Sequence, residues 1–151
     1  MADHEQASVT LPSAPASVST ARRYVTDVLS EWGAPAGGEA VDAIRLIVSE
    51  LATNAVEHTR GQSPDFTVEL RLRPGEELRV GVSDRHPRMP RRLPAAVQQD
   101  NGRGMVIIRS LTAEAGGTMA VIPDGHGGKT VWITLPWGPR PAGRAPSPGF
   151  I

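Results

Sequence analysis

The stretch GEAVDAIRLIVSELATNAVEHTRG, residues 38–61, carries the strongest helix signal in the chain. Apolar residues recur along it at intervals of three and four, which is the pattern of a helix that lies against a core. Gly61 follows the last apolar position and marks the end of the helix. The apolar stripe consists of Ile44, Ile47, Val48, Leu51, Ala55 and Val56. The sequence therefore predicts a long amphipathic helix, and the rest of the chain must supply the surface that it covers.

That surface is predicted to be a β-sheet built from two hairpins. The segments DFTVELRLR (65–73) and ELRVGVSD (77–84) alternate apolar and polar residues, and Pro74–Gly75–Glu76 joins them as a turn. The segments GTMAVIPDG (117–125) and KTVWITLPW (129–137) have the same character and predict the second hairpin.

The other predicted elements fix the fold class. SVTLP (8–12) is a candidate edge strand, and PASVSTARRYVTDVLSEWG (15–33) has helical spacing that stops at Gly33. RHPRMPRRLPAAVQQDN (85–101) contains three prolines and is predicted to be a loop, after which GRGMVIIRSLTAEAG (102–116) is predicted to be a helix led by a glycine turn. Helices and strands do not alternate strictly, so we expect an α+β two-layer sandwich, with helices on one face of a mixed, mostly antiparallel sheet.

Composition limits the organisation and the function classes. The 151 residues fit one domain, predicted over 6–137, with a disordered N-terminus (1–5) and a disordered tail rich in Pro, Gly and Arg (138–151). Sixteen basic and sixteen acidic residues cancel, which argues against direct nucleic-acid binding. The sequence has no cysteine and no apolar run of the roughly 18 residues that span a bilayer. We therefore expect a soluble cytoplasmic protein without a membrane partner.

A polar edge runs along the long helix beside its apolar stripe. Glu50 and Asn54 are four residues apart and so are neighbours on a helix, and His58 continues the edge one turn later. One interpretation is a solvated helix face. The other is a functional pair, in which the amide oxygen is a hard ligand suited to Mg²⁺ and the carboxylate accepts a proton from a hydroxyl or a water.

Two further positions have both a structural and a functional interpretation. Asp84 ends a predicted strand, where it either starts a turn or accepts a hydrogen bond from an exocyclic amine such as that of adenine. Gly102 and Gly104 either make a plain helix-entry turn or let backbone N–H groups reach a phosphate, with Arg103 adding a charged contact. GGKT (127–130) is not a Walker loop because it introduces a strand; Thr130 is placed near Asp84, and Lys129 is expected to be solvated.

Taken in order, these segments resemble the GHKL (histidine-kinase-like) ATPase superfamily, and within it the small bacterial anti-sigma-factor serine/threonine kinases. The resemblance runs from about Leu11 to Pro136. SELATNAVEHT (49–59) is similar to the N box, VSDRHPRMP (82–90) takes the place of the first glycine box, and NGRGMVIIRSLT (101–112) is similar to the second. GGKTVWITLP (127–136) resembles the last strand, and ARRYVTDVL (21–29) resembles the first helix.

The resemblance implies an ATP site that the long loop covers as a lid. Asn54 would hold Mg²⁺, and Glu50 would be the general base toward a protein serine hydroxyl. Asp84 would receive the adenine amine, with Thr130 supporting it through a water. The remaining nucleotide-binding positions implied by the resemblance are His58, Pro90, Gly102, Arg103, Gly104 and Met105.

The resemblance also implies partners and shows one departure. A kinase of this type would phosphorylate an anti-anti-sigma protein and bind a sigma factor, and so regulate transcription by partner switching; a homodimer is left open. The first glycine box of the family reads DxGxG, whereas Arg85, His86, Pro87 and Arg88 follow Asp84 here. A module that binds nucleotide or sigma factor without phosphoryl transfer is therefore the alternative hypothesis, and a two-layer domain without a ligand is the third.

Overall fold

The computed structural model of the chain describes residues 5–34, 38–59, 64–84, 95–125 and 128–137. These residues form three helices and five strands. In chain order the elements are β1 (Glu5–Pro12), α1 (Ala16–Glu31), α2 (Glu39–Thr59), β2 (Asp65–Arg73), β3 (Glu77–Asp84), α3 (Ala95–Glu114), β4 (Thr118–Pro123) and β5 (Lys129–Pro136). Among these helices none is long and apolar enough to cross a membrane.

The strands form one sheet in the order β1-β2-β3-β5-β4, and every neighbouring pair is antiparallel. Both predicted hairpins are present, and the first turns at Gly75, whose φ of 79° favours glycine. In this order β5 lies beside β3, and β4 forms the edge of the sheet. This order places the end of β3 next to the start of β5, with Asp84 opposite Lys129.

The core lies between the helices and one face of the sheet. The α2 stripe is buried as predicted, except that Val56 is only partly buried. Side chains of the sheet alternate, so each of the three central strands, β2, β3 and β5, gives every second residue to the core. Those residues are Phe66, Val68, Leu70, Leu72, Leu78, Val80, Val82, Val131, Ile133 and Leu135. The α+β two-layer sandwich is therefore confirmed, and its sheet is antiparallel throughout the described strands.

The other face of the sheet, which we call the outer face, is built around Trp132. The guanidinium carbons of Arg71 and Arg79 lie 4.9 and 4.7 Å from the centroid of its ring. Gly81 lies opposite Trp132 in the register, and a Cβ there would come within 2.7 Å of the ring. A side chain at position 81 would therefore displace the indole, which explains a glycine in the middle of a central strand.

Two predicted boundaries were wrong. β1 begins at Glu5, inside the predicted disordered N-terminus, whereas the predicted tail lies outside the described residues. The third helix begins at Ala95, seven residues before the predicted start at Gly102. The prolines of the predicted loop all precede Ala95, and the segment AAVQQ that follows them contains good helix formers. Residues 85–94 of the predicted loop lie outside the described residues, and the loop prediction was wrong from Ala95 onward.

Candidate functional site

The polar edge of α2 lies where the sequence predicted it. Glu50 and Asn54 are both half-buried, while Leu51 and Ala55 beside them are buried in the core. The two polar side chains are one helical turn apart and border the apolar stripe. The polar edge is therefore only partly accessible to solvent, as is expected for residues that border a ligand-binding cleft.

Asn54 contacts the segment that the sequence had singled out as the second glycine box. Its amide Nδ2 donates to the Sδ of Met105 on α3 over 3.9 Å. A thioether is a weak acceptor, so this contact fixes the amide only loosely. With the nitrogen directed at Met105, the amide oxygen is the atom that Asn54 can offer to a cation.

Met105 is anchored near this rim by the next turn of α3. Ile108 is fully buried, and the hydroxyl of Thr112 donates to its backbone carbonyl at 2.7 Å. Met105 itself packs against the core. Two of the predicted site residues, Asn54 and Met105, are thus brought into contact although 51 positions separate them.

The glycines ahead of Met105 do not form the predicted turn. Gly102 and Gly104 lie inside α3, which begins at Ala95, so their segment is helical and not a helix N-terminus. Each glycine weakens a helix interior by about 1 kcal/mol relative to alanine. This part of α3 is therefore the easiest to unwind. The side chains of His58 and Arg103 lie outside what the structure describes, as does Pro90.

At the other end of the candidate site, Asp84 is buried and already paired. Its side chain is 6% exposed at the end of β3, on the face of the sheet that the core occupies. Lys129 Nζ donates to Asp84 Oδ2 over 2.7 Å, and the Lys129 side chain is 45% exposed. The prediction that Lys129 is a solvated side chain agrees with this exposure but missed the ion pair. Asp84 needs a charged donor because an unpaired buried carboxylate is costly.

Lys129 is positioned by the turn between β4 and β5. The backbone N–H of Asp124 donates to the Gly128 carbonyl at 3.0 Å, and the Gly128 N–H donates to Asp124 Oδ1 at 3.1 Å. A Cβ on Gly128 would lie 2.5 Å from the backbone oxygen of Asp84. A glycine at 128 therefore allows β5 to begin against the end of β3. Sequence reasoning missed Gly128 and the pairing of Lys129, because both depend on the register between β3 and β5, which belong to different hairpins.

Thr130 is not beside Asp84. Its hydroxyl is 2.7 Å from that of Ser83, its partner in the register. Successive residues of a strand point to opposite faces, so Thr130 shares the outer face with Trp132, whereas Asp84 and Lys129 share the core face. The prediction that Thr130 supports a ligand at Asp84 was therefore wrong, and the position that faces Asp84 belongs to Lys129.

The family model of the histidine kinase-like ATPase domain matches residues 11–135. The chain belongs to this family. The matched range takes in all three helices and every strand except part of β1 and the last residue of β5.

The chain is also similar to individual proteins and solved structures, each over part of its own length or of theirs. An uncharacterized protein of Streptomyces coelicolor is 38% identical over 63 residues, which is 40% of this chain and 59% of that protein. The crystal structure of the RsbU and RsbW domains of Rv1364c from Mycobacterium tuberculosis aligns over 88% of this chain and 33% of that one, with a TM-score of 0.60 and 22% identity. The histidine kinase domain of a blue-light activated histidine kinase from Erythrobacter litoralis aligns over 64% of this chain and 44% of that one, with a TM-score of 0.45 and 30% identity.

The donor set on the α2 rim fits magnesium bound together with a phosphate ligand. Within the described ranges no group of three or more His, Asp or Glu side chains converges as a self-sufficient metal site. Mg²⁺ commonly takes one or two protein oxygens and fills its octahedron with waters and substrate phosphates. The amide oxygen of Asn54 suits that kind of shared coordination, and the Glu50 carboxylate stands one turn away to accept a proton.

Proposed function

We propose that this domain binds Mg·ATP and transfers the γ-phosphoryl group to a serine or threonine hydroxyl of an anti-anti-sigma protein. The observation that carries the proposal is the half-buried pair of Glu50 and Asn54, held one turn apart on α2 with Asn54 in contact with Met105. Membership of the histidine kinase-like ATPase family supports the nucleotide. The similarity of residues 11–136 to anti-sigma-factor kinases supports the protein substrate.

Each residue has a role in this proposal. Asn54 would hold Mg²⁺ through its amide oxygen, and the bound ion would neutralise charge on the phosphates. Asp84 accepts the exocyclic amine of adenine. The segment from Gly102 to Met105 meets the phosphates after this weak part of α3 opens, and Arg103 adds charge. His58 continues the rim, and Pro90 lies in the segment proposed as the lid.

The chemical step needs one proton acceptor from the protein. The substrate hydroxyl oxygen attacks the γ-phosphorus, the bond to the β–γ bridging oxygen breaks, and ADP leaves with that electron pair. The hydroxyl proton passes to the carboxylate of Glu50. Positioned general bases contribute about 10²–10⁴-fold to such steps.

Labelled γ-phosphate transfer to a purified anti-anti-sigma protein tests this role. We expect Glu50→Gln to lower the transfer rate at least about 100-fold, with Mg·ATP affinity changed by less than about twofold. Glu57→Gln is the matched control, since Glu57 lies on the same helix and is exposed. Transfer that is unchanged in Glu50→Gln would remove Glu50 from the mechanism.

A binding module without phosphoryl transfer is the second candidate function. Two observations favour it: no glycine follows Asp84 in RHPRMP, and the Asp84 carboxylate is paired with Lys129. Calorimetry with Mg·ATP separates the cases, because binding without transfer to any anti-anti-sigma protein supports the module. In both cases we propose that the protein acts in the cytoplasm and binds a sigma factor, as a monomer or a homodimer. Sedimentation with and without the sigma factor tests the binding and the oligomeric state.

A further inference from the structure

Lys129 is an unusual residue for this sequence. It is the only lysine among sixteen basic residues, and the other fifteen are arginines. It lies directly opposite Asp84 in the register of β3 and β5, and its ammonium group is 2.7 Å from Oδ2. No role for Lys129 follows from the proposed function, which uses Asp84 alone. The pairing therefore needs its own explanation.

The ammonium group of Lys129 and an adenine amine would compete for the same acceptor. A hydrogen bond between an ammonium ion and a carboxylate is about twice as strong as one between neutral groups, and the exocyclic amine of adenine is neutral. Asp84 is 6% exposed, so there is little open surface from which a second donor can reach it. Lys129, at 45% exposed, has solvent into which its ammonium group can withdraw.

We propose that Lys129 is a specificity-determining residue of the nucleotide site, because it occupies the carboxylate that the adenine amine needs. This inference rests on the proposed function. Adenine binds only when the ammonium group leaves Asp84, so the affinity for ATP is lowered by the strength of the ion pair. A purine with a carbonyl in place of the amine gains no bond from a freed carboxylate, whereas the ammonium group of Lys129 can donate to that carbonyl.

Calorimetry with Mg·ATP and Mg·ITP on the full chain tests the proposal, since inosine carries the carbonyl. We expect Lys129→Met to bind ATP about tenfold or more tightly than the unchanged protein, and to bind ITP no more tightly. Lys129→Arg keeps a cation opposite Asp84 and is the matched control. Because a guanidinium can pair with both oxygens of a carboxylate, Lys129→Arg should bind ATP no more tightly than the unchanged protein.

The outcomes separate this inference from the proposed function. If the unchanged protein and Lys129→Met bind ATP equally, or if Lys129→Met binds it more weakly, Lys129 does not compete and the inference is overturned while nucleotide binding stands. If none of the three proteins binds either nucleotide at millimolar concentrations, the proposed function fails and the inference fails with it.

A second measurement works without a variant, in case Lys129→Met does not fold. Labelling lysine at ¹⁵Nζ gives one side-chain resonance, because the chain has one lysine. In the free protein the hydrogen bond to Asp84 should protect the ammonium protons from exchange, and saturation with Mg·ATP should abolish that protection. Protection that persists at saturation would show that Lys129 keeps Asp84 while the nucleotide is bound, which contradicts the proposal.

Discussion

The two ends of the candidate site are held by contacts of very different strength. On the α2 rim, half-buried Asn54 meets Met105 through an amide–thioether contact of 3.9 Å. At the end of β3, buried Asp84 meets Lys129 through an ion pair of 2.7 Å. Asn54 can lose its contact with Met105 at little cost in free energy, whereas breaking the ion pair of Asp84 costs more. The strand end should therefore limit ligand affinity, and the rim should govern the metal and the chemistry.

The largest effect is expected from removing the carboxylate at the strand end. In the Lys129→Met background, where no ion pair has to break, adding Asp84→Ala should weaken Mg·ATP binding about 100-fold, because hydrogen bonds to charged groups contribute about 1.5–3 kcal/mol and nothing replaces this acceptor. Calorimetry measures it, with Asp42→Ala on the exposed face of α2 as the control. A loss of less than about threefold would mean that Asp84 is a purely structural partner of Lys129.

A smaller effect that depends on the metal is expected at the rim. Asn54→Ala should weaken ATP binding about tenfold in the presence of Mg²⁺ and leave binding in the presence of a chelator unchanged. Thr53→Ala is the control, since position 53 points about 100° away around the helix. If Asn54→Ala costs more affinity than Asp84→Ala, the ranking of the two ends is reversed.

The smallest effect is an alkaline loss of stability that involves neither end. Burial raises the pKa of Tyr24 above its ordinary value of 10.0, and the nearby Glu31 carboxylate raises it further. The folded state therefore holds the phenol proton in a range where the unfolded chain has lost it. The stability associated with Tyr24 is fully present below about pH 10 and is lost as the pH rises through the folded pKa.

Tyr24→Phe should remove this loss. Denaturant unfolding measured just below and well above about pH 10 gives the comparison, and phenolate absorbance reports Tyr24 alone because it is the only tyrosine. An alkaline loss of the same size in Tyr24→Phe would assign it to groups other than Tyr24.

The two ends also differ in how far the sequence predicted them. The rim depends on one helix, whose spacing puts Glu50 beside Asn54 whatever the rest of the fold does. The strand end depends on the register between strands whose paired residues are 45 positions apart. A shift of one residue in the register turns every side chain of a strand to the opposite face of the sheet. The sequence prediction therefore put Thr130 beside Asp84, at the position that Lys129 occupies.

Elsewhere the same distinction separates right from wrong predictions. β2 and β3 were predicted with correct bounds because alternation and a glycine turn are local signals. The start of α3 was missed because the loop predicted from the prolines was extended over AAVQQ, the helical segment that follows them. Two glycines next to Arg103 are compatible with either a turn or a weak helix, and only the tertiary structure decides between these conformations.

The most direct test of a nucleotide site between α2, α3 and the end of β3 is a titration of ¹³C-methyl methionine-labelled protein with Mg·ATP, followed by NMR. Met105 contacts Asn54, so its methyl resonance should shift and saturate with the nucleotide. Met119 lies on the edge strand β4, where it pairs with Ile133 of β5, and its methyl resonance should stay in place. A Met105 resonance that does not move at millimolar Mg·ATP, or a shift confined to Met119, would contradict the site.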